Sequence, residues 1–193
     1  MTETSAFVLT GGQSLRMGTD KAFVKLGGRS LLERVLALAE AVSPSVYIVG
    51  SRQKFARLGS VVEDVFVGHG PLGGIHAALR SSRTEMNLIL AVDMPFVEVQ
   101  FLRHLLESAV AHPAAVVTAP RTRDGWQPLC AVYRRSFADL AEAALAHGKN
   151  KIDTLFAHIE VFTVGERELA KEGWSPAMLR NLNTPEEVDA AQR

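Results

Sequence analysis

Short apolar runs of strand length alternate with longer amphipathic segments along the chain, and most of the apolar runs stop at glycine or a carboxylate. Residues 6–10 (AFVLT) end at Gly11-Gly12, 46–49 (VYIV) at Gly50, 61–62 at Glu63-Asp64, and 88–92 (LILAV) at Asp93. Further strand-like runs lie at 114–118 and 161–164. Between them, helical periodicity is read over 72–82, 99–111 and 136–147, and over a segment carrying Leu32, Val35, Leu36 and Leu38 that should end before Pro44. Ser30 and Glu33 have the spacing of a capping box, and Thr184-Pro185-Glu186-Glu187 has the same box with proline at the first helical position. Strands separated by helices are joined by crossovers. The expected fold is therefore α/β, three-layered, with a mostly parallel central sheet covered on both faces. In such sheets ligands bind beyond the carboxyl ends of the strands, which is where these glycines and carboxylates stand.

The 193 residues suit a single domain over 1–193, since single cores grow to roughly 250 residues before splitting. With 47% hydrophobic residues a packed core is available, and Lys+Arg 21 balance Asp+Glu 21. A broad electrostatic footprint for nucleic acid or an anionic membrane is not expected. One cysteine, Cys130, excludes an internal disulfide framework. No stretch reads as a signal peptide or a membrane span, so a soluble, cytoplasmic protein is expected.

The opening loop, LTGGQSLRMGTDK over 9–21, follows a strand directly. Its glycines let the backbone approach a ligand and aim N–H groups at phosphate oxygens, and Arg16 and Lys21 add positive charge. It is neither a Walker A loop nor a GxGxxG fingerprint. The combination favours a phosphate site over a plain glycine turn with two solvated cations. Asp93 suits Mg²⁺, a hard cation that takes oxygen ligands, better than it suits an N-cap several residues ahead of the next helix. Glu63-Asp64 could serve a base or a metal, or be an ordinary solvated strand end. His69 and His76 lack a metal-ligand spacing and read as loop and helix-surface histidines. Residues 119–127 read as the most loop-like internal region. The segment WQPLCAVY over 126–133 reads as an edge-like strand entered through Pro128, with Cys130 a small core residue. Asn181 and Asn183, at alternate positions, either bind a polar ligand or shape the turn before the final cap.

Together these motifs resemble the molybdenum cofactor guanylyltransferase (MobA-type) family. The resemblance rests on LTGGQSLRMGTDK, Gly70-Pro71-Leu72-Gly73-Gly74, Asp93-Met94-Pro95, residues 128–133 (PLCAVY) and Asn181-Leu182-Asn183-Thr184-Pro185-Glu186. It covers nearly the whole chain and implies a Rossmann-like nucleotidyltransferase fold. By position it implies that Leu9, Thr10, Gly11 and Gly12 meet the guanine nucleotide, that Lys21 contacts its phosphates, and that Asp64 binds it. Asp93 would bind nucleotide and Mg²⁺, and Arg16 would help neutralise the phosphates. Gln127 and Pro128, with Asn181 and Asn183, would face the pterin. The family usually carries Ala where Thr10 stands, and some members carry Asn where Val49 stands.

The activity implied is transfer of GMP from GTP to the terminal phosphate of (molybdenum-)molybdopterin, giving molybdopterin guanine dinucleotide and pyrophosphate. Arg16, Lys21 and Asp93 would be the catalytic residues and Mg²⁺ the cofactor, with transient contact to cofactor-insertion or delivery proteins. Two alternatives remain open: a cytidylyltransferase or other nucleotidyltransferase of the same fold, and a non-catalytic GTP-binding delivery module.

Overall fold

The computed structural model describes residues 3–11 and 20–192, so Gly12 and Arg16 lie outside the described residues. The chain begins with β1 (Thr4–Leu9), a 3-10 turn (Lys21–Phe23) and the hairpin β2 (Lys25–Leu26) and β3 (Arg29–Ser30). Then come α1 (Leu31–Glu40), β4 (Ser45–Val49), α2 (Arg52–Phe55), β5 (Ser60–Val62), α3 (Pro71–Ser81), β6 (Met86–Ala91) and α4 (Val99–Ala111). The second half holds β7 (Val117–Thr122), β8 (Gly125–Trp126), β9 (Cys130–Arg134), α5 (Phe137–Ala146) and α6 (Ile152–Phe156). It closes with β10 (Val161–Gly165), α7 (Glu166–Lys171), a 3-10 turn (Pro176–Leu179) and α8 (Pro185–Ala191).

Among the described residues an eight-stranded sheet runs β5, β4, β1, β6, β9, β7, β10, with β8 paired to β7. β1 pairs parallel with β4 and β6, β4 with β5, and β7 with β10, while β9 runs against both of its neighbours. β1 and β6 sit at the centre and are buried along their whole length, as near-continuous apolar strands must be. Their side chains alternate between two cores. Ala6, Val8, Leu88 and Leu90 join the core under α1 and α4, and Phe7, Leu9 and Ile89 join the one under α3 and α5. Both expected capping boxes are made: Ser30 Oγ accepts from Glu33 N–H at 3.2 Å, and Thr184 Oγ1 from Glu187 N–H at 3.2 Å. Among the described residues no helix is long and apolar enough to cross a membrane.

Two expectations are corrected. The region 119–127 is not loop: β7 continues to Thr122 and folds onto β8, pairing Arg121 with Trp126. Gly125, at φ 110°, makes that tight return possible, and the Arg121 guanidinium lies 5.0 Å from the Trp126 ring. Nor is β9 an edge strand; it lies between β6 and β7. Pro128 precedes the paired residues, so its missing N–H costs the ladder nothing.

Register fixes what the strand ends present. Leu9 stands beside Val49 and Ala91, and Val49 beside Val62. One residue further along, Thr10, Gly50, Glu63 and Val92 therefore form one rim, with Gly11, Asp64 and Asp93 just beyond it.

Candidate functional site

The opening loop leaves β1 with its first groups committed to the sheet. The Leu9 carbonyl accepts from Val92 N–H at 3.0 Å, and the Leu9 side chain is buried in the core. The backbone N–H and hydroxyl of Thr10 both donate to the Val49 carbonyl, at 3.0 and 2.8 Å. Gly11 is exposed, and among the described residues nothing lies within 4 Å of where a Cβ would stand. Leu9 and Thr10 thus build the floor, and Gly11 faces outward above it. The Val49 side chain is buried in the core, so it offers a ligand no side-chain contact.

At the far end of the loop, Asp20 caps the 3-10 turn by accepting from Ala22 N–H at 3.2 Å, while its other oxygen pairs with Lys54 at 2.7 Å. This turn aims Lys21 inward. Its ammonium lies 2.9 Å from Asp93 Oδ2 and 2.6 Å from Asn183 Oδ1. The side chains of Lys21 and Asp93 are each 16% exposed. Asp93 Oδ1 is buried and has no hydrogen-bond partner among the described residues. Asp93 is not an N-cap, because α4 is capped at Glu98. Its carbonyl accepts from Leu182 N–H at 2.9 Å, which docks the chain before α8 onto the end of β6. Glu187 holds the Asn183 backbone N–H in turn. Lys21, Asp93 and Asn183, expected on separate grounds, form one hydrogen-bonded cluster. The sequence around Lys21 carries no sign of its contact with Asn183. The only sequence signal for that contact is the Asn-x-Asn spacing before the final cap.

Asp64 lies on the other side of the β1 end, against the first turn of α3. Its Oδ1 accepts from Phe66 N–H at 2.9 Å. Burial raises its carboxyl above the ordinary value, opposed by the Phe66 N–H and by His76 and His69. The native state therefore holds this proton more tightly than the unfolded chain. The stability this contributes is present below the ordinary carboxylate range and lost as pH rises through the raised value. Asp64→Asn keeps an acceptor for Phe66 N–H and removes the charge. Compared with wild type from about pH 4 to about pH 8, its thermal midpoint should match at the acid end and be higher at the neutral end. A deficit growing toward neutral pH would show that this carboxylate is stabilising instead.

Gly73 makes the close approach of α3 possible: a Cβ there would lie 2.8 Å from Asp64 Oδ2 and 2.9 Å from the Phe66 carbonyl. A helix-interior Gly→Ala change ordinarily gains about 1 kcal/mol. Here the backbone carbonyl cannot swing away, so Gly73→Ala should instead cost about 1–3 kcal/mol, read in urea unfolding. His76 is not on the surface as expected. It is 4% exposed, packs edge-on to Phe66 with centroids 5.0 Å apart, and faces Glu142 of α5 at 3.4 Å. The packing of α5 onto α3 covers it, a tertiary effect that the histidine's local sequence does not carry.

Beyond Asp93 and Asn183 opens a cavity of about 660 Å³, whose lining includes Arg123, Gln127, Arg180, Asn181 and Asn183. Gln127 is held by its N–H on the Pro120 carbonyl at 2.9 Å. Pro128 lies next to it, its carbonyl accepting from Tyr133 Oη at 2.8 Å. Of the four residues expected to face the second substrate, Gln127, Asn181 and Asn183 share this cavity. Asn183 belongs both to it and to the Lys21–Asp93 cluster. Cys130 is fully buried and burial pushes its thiol up to about 12, so it is no nucleophile near neutral pH. Among the described residues no three His, Cys, Asp or Glu side chains gather to hold a metal by themselves.

Residues 6–161 match the family model for the MobA-like NTP transferase domain. A relative from Pelotomaculum thermopropionicum, named "probable molybdenum cofactor guanylyltransferase", is 33% identical over 100% of this chain and 93% of its own. The molybdenum cofactor guanylyltransferase of Desulfosudis oleivorans is 31% identical, covering 100% of this chain and 96% of its own. Among solved structures, molybdopterin-guanine dinucleotide biosynthesis protein A from Archaeoglobus fulgidus superposes with a TM-score of 0.83 at 31% identity, covering 97% of this chain and 96% of that one.

Proposed function

The chain belongs to the MobA-like NTP transferase family, and from that premise we propose that it transfers GMP from GTP to the terminal phosphate of (molybdenum-)molybdopterin and releases pyrophosphate. A nucleotidyltransferase needs a charged centre shared by two substrates. The observation that carries the reading is Asn183, which joins the Lys21–Asp93 pair to the cavity beside it. The guanine nucleotide occupies the strand ends between Gly11, Asp64 and Lys21, and the pterin takes the cavity lined by Gln127, Asn181 and Asn183. Guanine as the base, and the pterin as acceptor, follow the names of the full-length relatives.

In this reaction a terminal phosphate oxygen of the acceptor forms a bond to the α-phosphorus of GTP, and the bond from that phosphorus to the β-phosphate oxygen breaks. Pyrophosphate leaves with the electron pair. The attacking phosphate is already ionised near neutral pH, so no base is needed, in keeping with the buried, unreactive Cys130. The protein's task is to position two anions in line and to stabilise the charge that develops. Lys21, held by Asp93 and Asn183, donates from its ammonium to the phosphates. Arg16, which belongs to the same loop, adds its charge.

The donor set fits Mg²⁺. Asp93 Oδ2 is engaged by Lys21, while the buried Oδ1 lacks a partner among the described residues, and a hard cation held by one or two carboxylates takes its other ligands from substrate phosphates and water. When bound, the ion neutralises charge on the reacting phosphates.

GTP labelled on either the α- or the γ-phosphorus tests the reading. The α-label should pass to the pterin product and the γ-label to pyrophosphate. Passage of the γ-label to the pterin, or an α-label lodged covalently on the protein, contradicts direct transfer of GMP.

A further inference from the structure

The second substrate brings a phosphate dianion up to a triphosphate, and the cluster just described commits its ammonium to the other side. Lys21 is already shared between Asp93 and Asn183. Among the described residues that line the cavity, the cations are Arg123 and Arg180, and the carboxylates are Asp124 and Glu166. Arg123 sits on the two-residue turn between β7 and β8, where its backbone N–H donates to Glu166 at 2.8 Å. Arg180 is placed differently. Its guanidinium carbon lies 4.4 Å from the centroid of the Phe96 ring, and among the described residues no carboxylate pairs with it.

Two contacts fix that guanidinium relative to the reacting centre. Leu182 N–H donates to the Asp93 carbonyl at 2.9 Å, and two residues earlier in the chain the Arg180 guanidinium lies over the ring of Phe96, three residues after Asp93. The segment before α8 is thus pinned to the end of β6 at two points. A guanidinium set over a ring by cation–π attraction keeps N–H donors free to fork onto two oxygens of a phosphate. An arginine set over an aromatic ring, with no carboxylate partner among the described residues, on the segment that docks onto the end of β6, is a prepared phosphate ligand.

Resting on the transfer reading above, we propose that Arg180, oriented by Phe96, binds the terminal phosphate of the acceptor and presents it toward the α-phosphorus of the nucleotide. The acceptor class so selected is a phosphomonoester. A dephosphorylated pterin loses both the attacking group and the anchor. Phe96 acts through Arg180 and is a positioning residue.

The test is calorimetric binding of molybdopterin and of its dephosphorylated counterpart, under anaerobic conditions, to wild type, Arg180→Ala, Arg180→Lys and Phe96→Leu. GTP affinity and circular dichroism are measured on the same preparations. Wild type should bind the phosphorylated form about 10- to 100-fold more tightly than the other. Arg180→Ala should abolish that preference, with GTP affinity unchanged. Arg180→Lys should restore little of it, because an ammonium has neither the fork nor the planar face. Phe96→Leu should lose part of it. A preference retained in Arg180→Ala, full recovery in Arg180→Lys, or no preference in wild type overturns the proposal. Product formation, followed separately, distinguishes the two readings: a wild-type phosphate preference lost in Arg180→Ala, without any GMP transfer, leaves the clamp standing and removes the transfer reaction.

Discussion

Asp93→Asn should lower turnover by about 10²- to 10³-fold while the protein stays folded, in the range seen when one stabilising group is removed from developing charge. The amide is isosteric, its oxygen can still accept from Lys21, and the Asp93 backbone carbonyl still takes the Leu182 N–H. What disappears is the negative charge. That weakens the hold on Lys21 and removes the anionic oxygen at Oδ1 that suits a divalent cation. The Mg²⁺ concentration needed for half-maximal rate should rise together with the fall in kcat. The thermal midpoint should drop only slightly, since the pair is partly exposed and contributes on the order of 1 kcal/mol. Turnover near wild type, measured at saturating nucleotide and Mg²⁺, contradicts the role given to this carboxylate.

Lys21→Ala should cost turnover about 10²-fold and raise the KM for GTP as well, because the ammonium serves bound phosphates and transition state alike. Its removal leaves Asp93 Oδ2 and Asn183 Oδ1 without their shared donor. Lys21→Arg should recover little. Lysine is a compact point donor reaching two oxygens at 2.9 and 2.6 Å, and a planar fork does not occupy the same place. Recovery to within a few fold by the arginine variant would mean that charge alone, without geometry, is what the site uses. Steady-state kinetics in both substrates separates the cases, since loss of positioning lowers kcat and loss of uniform binding raises only KM.

Much of this arrangement is readable from local signals. The apolar runs ending at Gly11, Gly50, Asp64 and Asp93 mark the strand ends, and the periodic helix at 99–111 and both capping boxes stand where the sequence puts them. These features depend on residues within a few positions of one another, where periodicity and capping chemistry are strongest. What the sequence hides is tertiary. The hairpin of β7 and β8 looks like loop because its turn residues are polar, and the cation–π contact of Arg121 with Trp126 arises only once the strands meet. Pro128 suggests an edge strand, yet it lies before the paired residues and leaves β9 free to sit centrally. His76 gives no sign of burial until α5 covers it. In the site, the residue types were legible and their grouping was not: the hydrogen bond from Lys21 to Asn183 spans 162 residues. Arg180 carries no motif at all, and only its seat on Phe96 singles it out.

The most direct measurement is product formation by the wild-type chain with Mg²⁺, intact molybdenum-loaded molybdopterin and each of GTP, CTP, ATP and UTP in turn, with pyrophosphate and the pterin dinucleotide both quantified. GTP alone should yield the two products in equal amounts. CTP-selective product would keep the fold and the transfer chemistry and overturn the base assignment. Folded protein that binds GTP but forms no dinucleotide or pyrophosphate from any of the four would contradict the account at its centre.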